Sequence, residues 1–147
     1  AKELGPEQIY KYSRDFGFGS TTGISFPGEA KGILRSVNQW SDRSIISVPI
    51  GYEVGVTALQ MIMAYSAIAN GGYLLKPIIV DQIISPENNV IFESKIEVIR
   101  KIASKSTMKK MKNMLGEAVD YGTGRKANIE GWSVAGKTGT AYKFIDG

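Results

Sequence analysis

The chain has 147 residues, 43% hydrophobic and 22% charged, which is ordinary globular composition and enough for one core. It contains no cysteine and no histidine, so thiol nucleophiles, histidine-based triads and zinc sites built on those ligands are excluded within it. The net charge of +4 is modest, and no stretch approaches the roughly 18 to 20 uninterrupted apolar residues of a membrane span.

The opening Ala1-Lys2-Glu3-Leu4 reads like the inside of a helix already under way, as in an excised piece of a longer protein. Pro6 then precedes an amphipathic run, Ile9, Tyr10, Tyr12 and Phe16, which stops at Gly17; proline near the start and glycine past the end predict a short helix. Residues 17 to 56 carry too many glycines and prolines for a long element. A connection of that length usually wraps a core or serves a function.

Thr57-Ala58-Leu59-Gln60 has capping-box spacing, in which the threonine and glutamine side chains each satisfy a backbone N–H. Leu59, Ile62, Met63, Tyr65, Ala67, Ile68 and Ala69 follow, predicting a helix apolar almost all round and therefore central. Asn70-Gly71-Gly72 is its left-handed stop. Residues 74 to 84 and 90 to 92 read as two strands joined by the turn Ser85-Pro86-Glu87-Asn88-Asn89.

Another helix is expected from Met108, Met111, Leu115 and Ala118 or Val119, with Ser106 as its N-cap and Asp120-Tyr121-Gly122-Thr123-Gly124 at its end. Lys101, Lys105, Lys109 and Lys112 fall on one side of it; with no aromatics between them they read as a solvated face and imply no nucleic acid. Trp132-Ser133-Val134-Ala135 leads into Gly136-Lys137-Thr138-Gly139-Thr140, expected as a strand.

Several short motifs compete over these residues. Gly131 to Thr138 matches the phosphate-loop string G-x-x-x-x-G-K-T, but that loop needs a helix starting at the lysine, and Gly139 and Thr140 follow at once. Gly122 to Ala127 matches G-x-G-x-x-A, yet follows a predicted helix where a dinucleotide site needs a strand. The serine acyl-enzyme strings S-x-x-K, S-x-N and K-T-G all occur, as Ser106 to Lys109, Ser36 to Asn38 and Lys137 to Gly139. Their order differs from the S-x-x-K, S-x-N, K-T-G order of such enzymes, which reduces the first two to chance matches.

Longer strings carry a family resemblance. Thr22-Gly23-Ile24-Ser25-Phe26-Pro27-Gly28-Glu29 resembles a segment of class B penicillin-binding proteins, as does the run from Pro49 to Gln60 continuing through Ala64 to Gly72. Gly122 to Ala127 and Val134 to Ala141 complete the set, in the family's order. The resemblance implies an α+β fold: a partial penicillin-binding transpeptidase (β-lactamase-like) domain over residues 1 to 147, helix-rich, with a small β-hairpin and the K-T-G strand. It also implies that the nucleophilic serine and the true S-x-N loop lie before Ala1 and further strands beyond Gly147. The K-T-G surroundings look closer to the septal than to the elongation branch, although Tyr142 stands where many relatives have a polar residue such as glutamine.

By that resemblance Lys137 is the catalytic and substrate-binding cation of the segment, holding a carboxylate and aiding proton movement. Thr138 and Thr140 add hydroxyls, and Gly139 lets the substrate backbone lie against the chain. The Thr140 N–H would be one oxyanion donor. The implied parent is a peptidoglycan D,D-transpeptidase, extracytoplasmic and anchored by an N-terminal transmembrane helix. Its partners would be stem peptides, β-lactams and cell-wall synthesis or divisome proteins; no cofactor or metal is implied. The chain itself is expected to be inactive, and to self-associate through its unpaired edge and partly uncovered central helix. The rival readings are a non-catalytic interaction module of the same fold and a phosphate-loop protein.

Overall fold

In the computed structural model, which describes residues 1–140, Lys2–Leu4 form a turn rather than helix: the N–H groups of Leu4 and Gly5 both donate to the Ala1 carbonyl. Gly5, at a φ of 76°, then redirects the chain into α1 (Gly5–Asp15), with Pro6 in its first turn. Arg14 ends α1 by reaching forward to the carbonyls of Phe18 (3.2 Å) and Gly19 (2.7 Å).

The segment from Gly17 to Val56 is mostly irregular, as its breakers predict. It holds a two-residue strand β1 (Ile33–Leu34), one turn of helix α2 (Ser44–Ser47) and β2 (Val54–Gly55), which pairs antiparallel with β1. Two carboxylates organise it. Glu29 accepts from the backbone N–H groups of Thr22 (2.6 Å) and Gly23 (3.2 Å), closing the Thr22–Glu29 loop on itself. Glu53, a non-glycine residue at a φ of 61°, accepts from the Ser44 hydroxyl at 2.8 Å and from the Ser47 hydroxyl.

The capping box at Thr57 forms as predicted and starts α3 (Ala58–Ala69). Gln60 does more than cap. Only 1% exposed, it accepts from Thr57 N–H and donates through Nε2 to the carbonyls of Ser20 (2.7 Å) and Lys31 (2.9 Å). One amide thus ties the irregular segment to the first turn of α3, taking up two backbone carbonyls that no ladder reaches.

Past Asn70, Gly71 and Gly72 take φ values of 92° and 110°, the expected left-handed stop. A side chain at Gly72 would sit 2.4 Å from the Ala103 carbonyl oxygen, so glycine is needed for that close approach. The expected long strand over 74–84 is broken in two. β3 (Tyr73–Leu75) pairs with an unanticipated strand β6 (Val98–Lys101), while β4 (Gln82–Ile84) pairs with β5 (Val90–Glu93) around the anticipated turn. Pro77 explains the break: it has no N–H for a ladder, and the last β3-side bond runs from Lys76 N–H to Glu97 O at 3.0 Å.

Helix α4 (Lys105–Asp120) is capped by Ser104, not by Ser106: the Thr107 N–H donates to Ser104 Oγ at 3.1 Å. Lys101 consequently belongs to β6, and of the four lysines expected on one side Lys105, Lys109 and Lys112 lie in the helix. The core is formed by Met63 and Ala67 of α3 with Leu74 of β3, with Leu59 and Ile102 against them. Met108 and Val119 of α4 are also buried. The opposite face of α3 is open, with Ile62 62% exposed, so this helix is central to the core yet covered on one side only.

Candidate functional site

Beyond α4 the chain turns at Gly122 and Gly124. A Cβ on either would meet the Ala118 carbonyl oxygen, at 2.8 and 3.0 Å, and the Gly124 N–H donates to that same oxygen at 2.9 Å. The G-x-G string is therefore a close-packed helix stop, as its position after a helix suggests. The chain then comes back along α4, where Gly136 N–H donates to the Leu115 carbonyl at 3.1 Å.

Residues 133–140 have no regular secondary structure, so the expected K-T-G strand is not formed. A strand exists only when a neighbour takes its backbone groups, and among the described residues no strand lies beside this one. No helix begins at Lys137 either, which removes the phosphate-loop reading; the N–H of Gly136 is spent on α4.

Lys137, Thr138, Gly139 and Thr140 are all exposed. The Lys137 ammonium bends back onto its neighbour, donating to the Thr138 carbonyl at 2.8 Å and to Thr138 Oγ1 at 3.3 Å. Nothing lies within 4 Å of a Cβ built on Gly139, leaving open space beside the backbone. The structure adds one residue that sequence reasoning passed over: Thr123 Oγ1 lies 2.9 Å from Thr138 Oγ1. Nothing local to Gly122-Thr123-Gly124 signals a partner fifteen residues on.

The two other serine strings are occupied elsewhere. Ser36 Oγ bonds to Asn38 Oδ1 at 2.5 Å and Gln39 Oε1 at 3.1 Å, and Ser106 Oγ lies 2.8 Å from Ser104 Oγ. The bonds of the Lys137 ammonium go to Thr138 and to neither serine. Ala141 and Tyr142 lie outside the described residues.

Two of the concavities along the described residues border the helices and the hairpin. One of about 310 Å³ is lined by Tyr65, Ile68, Lys112, Leu115 and Ala135, between α3, α4 and the chain entering the K-T-G segment. The other, of about 760 Å³, lies along the β4–β5 hairpin and contains none of residues 137–140. No group of residues suited to hold a metal ion occurs among the described residues.

A mixed helix-and-sheet chain carrying Lys137-Thr138-Gly139 has the K-T-G string shared by penicillin-binding proteins and class A β-lactamases. Comparison gives the family itself. The family model described as "Penicillin binding protein transpeptidase domain" matches residues 1–147, and the chain belongs to that family. It is 38% identical to penicillin-binding protein PbpB of Mycolicibacterium smegmatis, over 98% of this chain and 23% of that protein. It is 39% identical to stage V sporulation protein D of Bacillus subtilis, over 99% of this chain and 23% of that protein. The crystal structure of penicillin-binding protein 3 of Mycobacterium tuberculosis, complexed with ampicillin, superposes with a TM-score of 0.89 at 34% identity, covering 98% of this chain and 33% of that one. The chain thus spans about a quarter of the length of the curated relatives it matches.

Proposed function

We propose that this chain contributes the K-T-G half of the acyl-transfer site of a peptidoglycan D,D-transpeptidase, from after the S-x-N loop to just past the K-T-G segment. The observation that carries the reading is the meeting of the Lys137 ammonium and the Thr138 hydroxyl, 3.3 Å apart, on an exposed segment beside the open Gly139. A cation, a hydroxyl and an accessible backbone suit the carboxylate end of an extended peptide. Curated relatives named as probable peptidoglycan D,D-transpeptidases, such as PenA of Neisseria meningitidis at 30% identity, support the same chemistry.

In this reading a serine of the parent, outside this chain, attacks the D-Ala-D-Ala carbonyl of a stem peptide. D-alanine leaves, and an amine from a neighbouring stem takes the acyl group. Lys137, Thr138 and Thr140 hold the carboxylate; Lys137 aids proton movement, and the Thr140 N–H faces the developing oxyanion. β-Lactams acylate the same serine, in keeping with the ampicillin complex of the mycobacterial relative. The parent works on the extracytoplasmic side of a membrane, held by an anchor outside this chain, alongside cell-wall synthesis proteins. No helix among the described residues is long and apolar enough to cross a membrane. The isolated chain is inactive and self-associates through the open face of α3.

Labelling with a fluorescent penicillin tests the site. The parent protein should be acylated, Lys137→Ala should slow acylation by roughly a hundredfold or more, and the isolated chain should remain unlabelled. Labelling of the isolated chain at Ser36 or Ser106 would refute the assignment. A parent that folds but takes no penicillin would favour a non-catalytic interaction module.

A further inference from the structure

We infer that Thr123 is a positioning residue, whose hydroxyl donates to Thr138 Oγ1 and so leaves the Thr138 O–H free to donate to a bound carboxylate. The inference rests on the reading of the K-T-G segment as a carboxylate-binding element.

A threonine hydroxyl has one proton to give and two lone pairs to accept with. Lys137, as an ammonium, can only donate, so its 3.3 Å contact occupies one lone pair of Thr138 Oγ1. The 2.9 Å contact with Thr123 Oγ1 is geometrically open in either direction. Were Thr138 the donor, its single proton would be spent on Thr123, and the hydroxyl would offer an incoming anion only lone pairs. With Thr123 as donor, both lone pairs of Thr138 are filled and its proton is left over. A carboxylate arriving beside Lys137 selects that second arrangement, because it needs donors.

The pair is held by a rigid element. Thr123 sits between two glycines packed against the Ala118 carbonyl, and the K-T-G segment is tied through Gly136 N–H to the Leu115 carbonyl. Both anchors are on α4, three residues apart, so the helix sets the spacing of the two hydroxyls. A β-branched residue at 123 is stiff at χ1, which keeps the hydroxyl aimed.

The experiment uses the complete parent protein carrying Thr123→Val or Thr123→Ser, with acylation followed for benzylpenicillin and for its methyl ester. Thermal unfolding is recorded for every variant, and Thr123→Ala serves if the valine variant does not fold. With the acid, Thr123→Val should acylate about tenfold more slowly, equivalent to one hydrogen bond, while Thr123→Ser stays near wild type. The loss should lie in the apparent binding constant more than in the limiting rate, and shrink to about twofold or less with the ester. In a Thr138→Val background the Thr123 effect should vanish. Equal slowing of acid and ester, or a folded valine variant indistinguishable from wild type, would overturn the role of Thr123. A wild-type parent not acylated at all would instead remove the transpeptidase reading on which it stands.

Discussion

Glu29 and Glu53 each hold an irregular loop through both carboxylate oxygens, and both are pushed below the ordinary carboxylate value of 4.5. At Glu29 burial works against this, but hydrogen bonds from the Thr22 hydroxyl and the Thr22 and Gly23 N–H groups together outweigh it. At Glu53 the Ser47 and Ser44 hydroxyls are the main cause, helped by the charge of Arg35. A carboxylate lowered on folding contributes stability fully present above its unfolded value and lost as pH falls through the folded one. The melting temperature should therefore be level near neutrality and fall below about pH 4.5. Glu29→Gln and Glu53→Gln should each flatten that acid limb; an unchanged limb in the double variant would show that these loops do not control it. Gly32 makes a different demand at the same scale. At a φ of 69° its Cβ would stand 2.4 Å from the Gly55 carbonyl oxygen and 3.0 Å from Gln60 Oε1, so Gly32→Ala should destabilise by about 2 kcal/mol or more, readable by denaturant titration.

Helix ends show how local chemistry and chain context divide the outcome. The Thr57–Gln60 capping box was readable because both partners sit within one turn, and it formed. Two serines compete to cap α4, and the structure assigns the cap to Ser104. Ser104→Ala should cost about 1 kcal/mol, whereas Ser106→Ala, an exposed residue inside the first turn, should change stability by only a few tenths. Comparable losses for both would contradict the assigned start of α4. The strands divide in the same way. The β4–β5 hairpin followed from its turn, while β6 escaped notice because its partner β3 lies across the whole hairpin insertion. Within β6 itself, Val98-Ile99-Arg100-Lys101 holds two β-branched residues but no alternation that would mark a strand.

For the whole molecule, the decisive feature is the amount of apolar surface left open. Met61, Ile62 and Tyr65 form an exposed apolar stretch of α3, whose Met63 and Ala67 build the core. Such a patch favours burial against another surface. The proposed self-association of the isolated chain therefore predicts concentration-dependent sedimentation, and Ile62→Lys should shift it toward monomer. A single monomeric boundary at high concentration would count against it.

The sequence by itself determined the family, the helix α3 with its cap and stop, and the turn of the hairpin. These depend on residues within a turn or two of one another, or on long strings shared with relatives. The tertiary structure decided what separated residues do together: that Gln60 gathers the Ser20 and Lys31 carbonyls, that β3 finds β6, and that Thr123 meets Thr138. It also decided that Lys137 to Thr140 do not form a strand among the described residues. β-Branched composition supplies a preference for extended backbone, but a strand is completed only by a neighbour that takes up its hydrogen bonds.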